Sequence, residues 1–103
     1  MTIDIIYRGL FKSLLIKQRS QKYFSAPRYI CRNNVFVDLQ RNNTFHIQKN
    51  KIHISLSSDE ASNIEAVCES LKDILNGSFI GIKTNDLVYK KIQNYGVLTG
   101  LRM

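Results

Sequence analysis

Three segments near the middle of the chain leave little room for choice. Residues 35–40 (VFVDLQ), 44–48 (TFHIQ) and 52–56 (IHISL) alternate apolar and polar side chains, with short polar stretches between them. A period of two over four to six residues is the mark of a half-buried strand. Connections this short can only join antiparallel neighbours, so the segments predict a three-stranded meander.

The alternation also tests the turns, because a slip of one residue would turn a whole apolar set outward. A three-residue Arg41-Asn42-Asn43 loop sets Val37 opposite Ile47 and Leu39 opposite Phe45. A two-residue Lys49-Asn50 turn sets Ile47 opposite Ile52 and Phe45 opposite Ile54. In this register Val35, Val37 and Leu39 share the buried face, and Asp38, His46 and His53 form a row on the other. Two imidazoles and a carboxylate suit several divalent metals. The row has no further ligand, so the expectation is a solvated row, with no metal and no cofactor.

A helix follows. Ser57 and Glu60 have capping-box spacing, and Ile64, Val67, Cys68, Leu71, Ile74 and Leu75 make a continuous apolar stripe. Asn76-Gly77 is a stop signal. Cys68 lies within the stripe and reads as a buried, inert thiol. Residues 78–82 (SFIGI) predict a fourth strand parallel to the third, because a strand–helix–strand crossover normally runs that way. Asp86 to Asn94 predicts a second helix with Leu87, Val88, Ile92 and Tyr95 inward, ended by Gly96. Residues 97–103 read as a tail or short edge strand. The expected fold is α+β: the meander and fourth strand in one layer, two helices packed on one face.

Charge divides the chain. Residues 1–51 carry ten Lys and Arg against two acids, the remainder five against six, within a net charge of +7. Apolar residues recur at helical spacing from Ile3 to Ile16, with Arg8, Lys12 and Arg19 toward the other side. Ser13, Ser20 and Ser25 follow among basic residues. Lys22-Tyr23-Phe24-Ser25-Ala26 is similar to a mitochondrial presequence-processing site. A basic amphipathic helix in this setting is expected to be an import signal, the other uses being core packing and a membrane surface. Residues 1–29 are therefore expected to be a targeting segment and 30–103 the domain, in the mitochondrial matrix. No apolar run reaches the roughly 20 residues of a membrane-spanning helix. Two Cys suggest no disulfide framework.

The predicted register gathers Arg32, Lys49 and Lys51 at one end of the sheet, with Arg28 just upstream. These four are the expected contacts to RNA phosphate, with Phe36, His46 and His53 offering stacking surfaces. Arg41 falls at the opposite end, beside Asp59 and Glu60, as a local charge partner. Residues 59–75 (DEASNIEAVCESLKDIL) resemble the last helix of double-stranded-RNA-binding domains at Glu60-Ala61, Asn63, Ala66 and Ile74-Leu75. That resemblance spans mainly residues 35–75 and implies RNA binding. Here Ser57, Ser58, Asp59 and Glu60 stand where that family places phosphate-clamping Lys, which directs the contact to the basic end instead. No nucleophile, phosphate loop or small-molecule site is evident. The expected function is a non-enzymatic component of a mitochondrial RNA–protein assembly, such as a ribosomal one. The alternative is an assembly subunit of a respiratory complex, contacting other protein subunits.

Overall fold

The computed structural model describes residues 1–96, 98 and 101–103. A seven-stranded sheet is covered on one face by three helices, so the α+β class and the single helix-covered face are those expected. In chain order the elements are β1 (Thr2–Ile6), α1 (Leu10–Tyr23), β2 (Tyr29–Arg32), β3 (Val35–Asp38), β4 (Thr44–Ile47), β5 (Lys51–Ser55), α2 (Ala61–Leu75), β6 (Gly81–Lys83), α3 (Asp86–Tyr95) and β7 (Leu101–Arg102). The sheet order is β2-β3-β4-β5-β1-β6-β7. Of the tail, Val97, Thr99 and Gly100 lie outside the described residues.

The largest departure from expectation is at the N-terminus. Residues 2–6 form a strand, and the helix begins only at Leu10. Ile3, Ile5 and Tyr7 point into the core, each with no exposed surface, while Thr2, Asp4 and Ile6 alternate onto the other face. β-Branched residues at that spacing suit a pleated strand. Gly9, at φ 101°, lets the chain turn into α1. β1 pairs antiparallel with both β5 and β6. Hence β5 and β6 run parallel, as expected, but β1 lies between them. Residues 1–29 are not a separate segment: they supply an interior strand, a covering helix and the entry to β2.

Phe24, expected at a processing site, is buried where α1 ends. Its ring centroid lies 4.7 Å from Tyr29, 5.1 Å from Phe36 and 4.6 Å from Phe45. This aromatic cluster joins α1 to β2, β3 and β4.

The turn between β4 and β5 has the expected register, with Ile47 opposite Ile52 and Phe45 opposite Ile54. The turn before it does not. Phe36, not Leu39, faces Phe45, so Phe36 and Asp38 are on the covered face and Leu39 is half exposed. Asp38 causes the change. Its carboxylate accepts from the Gln40 and Arg41 N–H groups at 2.9 and 3.3 Å, and its backbone N–H donates to the Asn43 carbonyl at 2.9 Å. The loop is therefore residues 39–42, with Asn42 in the left-handed conformation. A pair of left-handed residues, Asn33 and Asn34, closes the β2–β3 hairpin. This is the turn geometry that matches strand twist.

The α2 apolar stripe from Ile64 to Leu75 is buried, and Asn76 ends the helix in the left-handed conformation. Its start differs from the expected capping box. The helix begins at Ala61, and the Ser57 hydroxyl instead donates to the Arg41 carbonyl at 2.5 Å. Asn43 and Asn63 are buried and exchange amide hydrogen bonds at 2.8 and 3.0 Å, tying the loop to this helix start. α3 begins with the Asn85 side chain accepting from the Val88 N–H at 2.9 Å and ends at Gly96 as expected. Val88 and Ile92 are inward, but Leu87 is half exposed. Burial, then Glu69 and Glu65, push the Cys68 thiol up to about 12, which keeps it protonated and inert.

Candidate polyanion-binding end

One end of the molecule is assembled from three chain segments. The first is the Lys49-Asn50 turn. Buried Tyr7 holds it: its N–H donates to the Asn50 carbonyl at 3.0 Å, and its hydroxyl donates to the Gln48 carbonyl and approaches that of Lys51 at 3.2 Å. Burial raises the phenol to about 12, so it remains a donor across the physiological range. The second segment is the Asn33-Asn34 turn, whose Asn34 carbonyl accepts the Ile47 N–H at 2.9 Å. The third is the first half of α1. Ser13, Leu14 and Lys17 line a groove together with Asn34, Ile47, Gln48 and Lys49.

Lys49 stands at the turn, Lys17 on the helix side, and Lys51 and Arg32 on the uncovered sheet face. Arg8 and Lys12 are exposed nearby in the chain. None of these six takes part in an ion pair among the described residues. No acid lies between Asp4 and Asp38 or between Asp38 and Asp59, so these segments carry no acid of their own beside the six cations. The result is a set of solvated cations held by buried anchors.

Arg28 does not belong to this end. It lies opposite Leu39, whose N–H donates to its carbonyl at 2.8 Å, beside the 39–42 loop at the other end of the hairpin. Its Nε and Nη2 donate to the two Asp38 carboxylate oxygens at 3.2 and 3.0 Å, and its guanidinium lies 5.3 Å from the Tyr29 ring. It is committed to the fold. Arg41 is at that same end, but meets the approach to α2 through its carbonyl; its side chain forms no ion pair among the described residues.

Asp38 is pushed up by burial, but Arg28 and the Gln40 and Arg41 N–H groups outweigh this and hold it below its ordinary 3.8. A lowered carboxylate stabilises the fold above its unfolded value, and the contribution disappears as pH falls through the folded value. Wild type should therefore lose stability on acidification below 3.8 more steeply than Asp38→Asn. Chemical denaturation over a pH series checks this; parallel acid limbs would show that the pair contributes nothing.

The uncovered sheet face carries a row running Arg32, Val35, His46, His53, Asp4, Lys83 from β2 to β6. His46 and His53 are neighbours as expected. Asp38 is not with them, since it faces the helices; Asp4 is the carboxylate in the row, 2.6 Å from His53 Nδ1. No group of three or more His, Cys, Asp and Glu is arranged to hold a metal among the described residues. Phe36 is buried and offers no stacking surface. No helix among the described residues is long and apolar enough to cross a membrane. No family model, curated protein or solved structure matches the chain.

Proposed function

We propose that this protein is a small non-enzymatic component of an RNA–protein assembly, ribosomal or of similar kind, bound to RNA phosphate through its basic end. The observation that carries the reading is that Lys17 and Lys49 line one groove while Arg32 and Lys51 lie on the uncovered sheet face at the same end, none of the four in an ion pair among the described residues. Cations that the fold does not use, on turns fixed by buried Tyr7 and by Asn34, suit a phosphate backbone rather than a base-reading pocket. Arg28, expected to contribute, is left out because Asp38 occupies it.

The reading keeps the mitochondrial matrix as the compartment, on the basic, acid-poor N-terminal sequence. It takes that sequence as retained, since a cut after Phe24 would remove β1 and α1.

Sedimentation of a cell lysate with and without ribonuclease tests the proposal. The protein should travel with fast particles and move to light fractions once RNA is digested. The Lys49→Glu, Lys51→Glu variant should stay light throughout while keeping native circular dichroism, because these side chains are outside the core. Wild type that remains in fast fractions after digestion would instead support a purely protein assembly.

A further inference from the structure

α1 buries less than an amphipathic helix of its length could. Only Ile16 and Ser20 are fully inward, while Leu10 is 69 % exposed, Phe11 73 % and Leu14 55 %. Leu10, Leu14 and Lys17 follow at i, i+4 and i+7, so they share one stripe, and Phe11 is beside it. The stripe lies at the N-terminal end of the helix, next to the turn that carries Lys49. Three large apolar side chains in one and a half turns form a patch, not scattered exposure.

The charge around the patch selects its occupant. Arg8 stands just before Gly9 at the helix start, Lys12 follows Phe11, Lys17 is one turn beyond Leu14, and Lys49 borders the groove that Leu14 and Lys17 line. No acid is present from residue 5 to residue 37. Apolar side chains whose charged neighbours are all cations match a bilayer surface, where the apolar groups enter the acyl boundary and the ammonium and guanidinium groups meet anionic headgroups. RNA would use the cations and could stack a base on Phe11, but Leu10 and Leu14 offer it nothing.

We infer that the exposed N-terminal half of α1 is a peripheral docking surface for anionic lipid, with Leu10, Phe11 and Leu14 inserted and Arg8, Lys12 and Lys17 on headgroups. The surface adjoins the RNA contact proposed for Lys17, Arg32, Lys49 and Lys51 and shares Lys17 and the groove edge at Leu14 with it, but insertion of the apolar side chains does not depend on that contact.

Vesicles of phosphatidylcholine with and without phosphatidylserine provide the test, using the full chain. Binding should require the anionic lipid. Leu10→Ser, Phe11→Ser removes exposed apolar groups outside the groove and no charge, and should weaken vesicle binding about tenfold or more while the salt slope of RNA binding stays at the wild-type value. The chain has no Trp. A Phe11→Trp variant should therefore report insertion directly, as a blue shift on adding anionic vesicles. Absence of binding to either vesicle, unchanged binding by the double variant, or Trp emission that stays at its aqueous position would each overturn the proposal.

Discussion

Expressed without residues 1–24, the chain should not fold. The deletion removes β1, which pairs with both β5 and β6, and with it Ile3, Ile5, Tyr7, Ile16 and Phe24. Two strands that never touch each other in the intact sheet would then expose opposing edges. A small domain has a total stability of only about 5–15 kcal/mol, and the burial lost with these five side chains, at about 1.5–3 kcal/mol each, is as large as that whole margin. The truncated chain should show no cooperative thermal transition and broad, poorly dispersed amide resonances. A sharp transition and dispersed spectrum would mean that residues 25–103 form a domain of their own and that the N-terminus is an accessory.

A single substitution in the same region should have the next largest effect. Phe24 sits against the buried rings of Tyr29, Phe36 and Phe45, and Phe24→Ala should cost about 3–5 kcal/mol, as buried Phe truncations do. Ring contacts at 4.6 to 5.1 Å across α1, β2, β3 and β4 mean that no one neighbour can move in to fill the space. By contrast, Phe11→Ala, in the first turn of the helix that Phe24 terminates, should change stability by less than about 0.5 kcal/mol, since Phe11 is exposed. Urea denaturation of the two variants compares them directly. Equal, small losses would contradict the placement of Phe24 in the core.

The strongest periodic signals in the sequence survive in the structure. The β4–β5 register, the α2 stripe and its Asn76-Gly77 stop, and α3 with Gly96 at its end all follow from pattern and turn chemistry. The failures have physical causes. Residues 3–16 fit helical spacing because β1 and α1 abut with only three residues between them, and Ile3, Tyr7 and Leu10 fall in phase by accident. The period-two order of Ile3, Ile5 and Tyr7, with Gly9 after it, was the available signal for a strand. In β3 the sequence VFVD offers two faces, one aliphatic and one with Phe36 and Asp38. The choice rested on Arg28, ten residues away, which makes burial of the Asp38 carboxylate tolerable. Sequence spacing alone does not reveal such a pair. β2 was legible in principle, because Asn33-Asn34 between YICR and VFVD is a hairpin signal.

These corrections rearrange the basic end without dissolving it. Arg32, Lys49 and Lys51 remain there, Arg28 leaves for Asp38, and Lys17 enters because α1 is part of the fold. Tyr7 becomes a positioning residue for the turn that carries Lys49 and Lys51.

Phosphate contact by the basic end is measured by the salt dependence of binding between the full chain and a short single-stranded RNA. Each phosphate neutralised on a single strand contributes about −0.7 to the slope of log K against log salt. Wild type should show a slope of about −2 to −3 if three or four of Lys17, Arg32, Lys49 and Lys51 make contact. Lys49→Glu, Lys51→Glu should bind more weakly and with a slope shallower by about one or more. Binding that is insensitive to salt, or a Lys49/Lys51 variant whose slope and affinity equal those of wild type, would show that this end does not hold RNA phosphate.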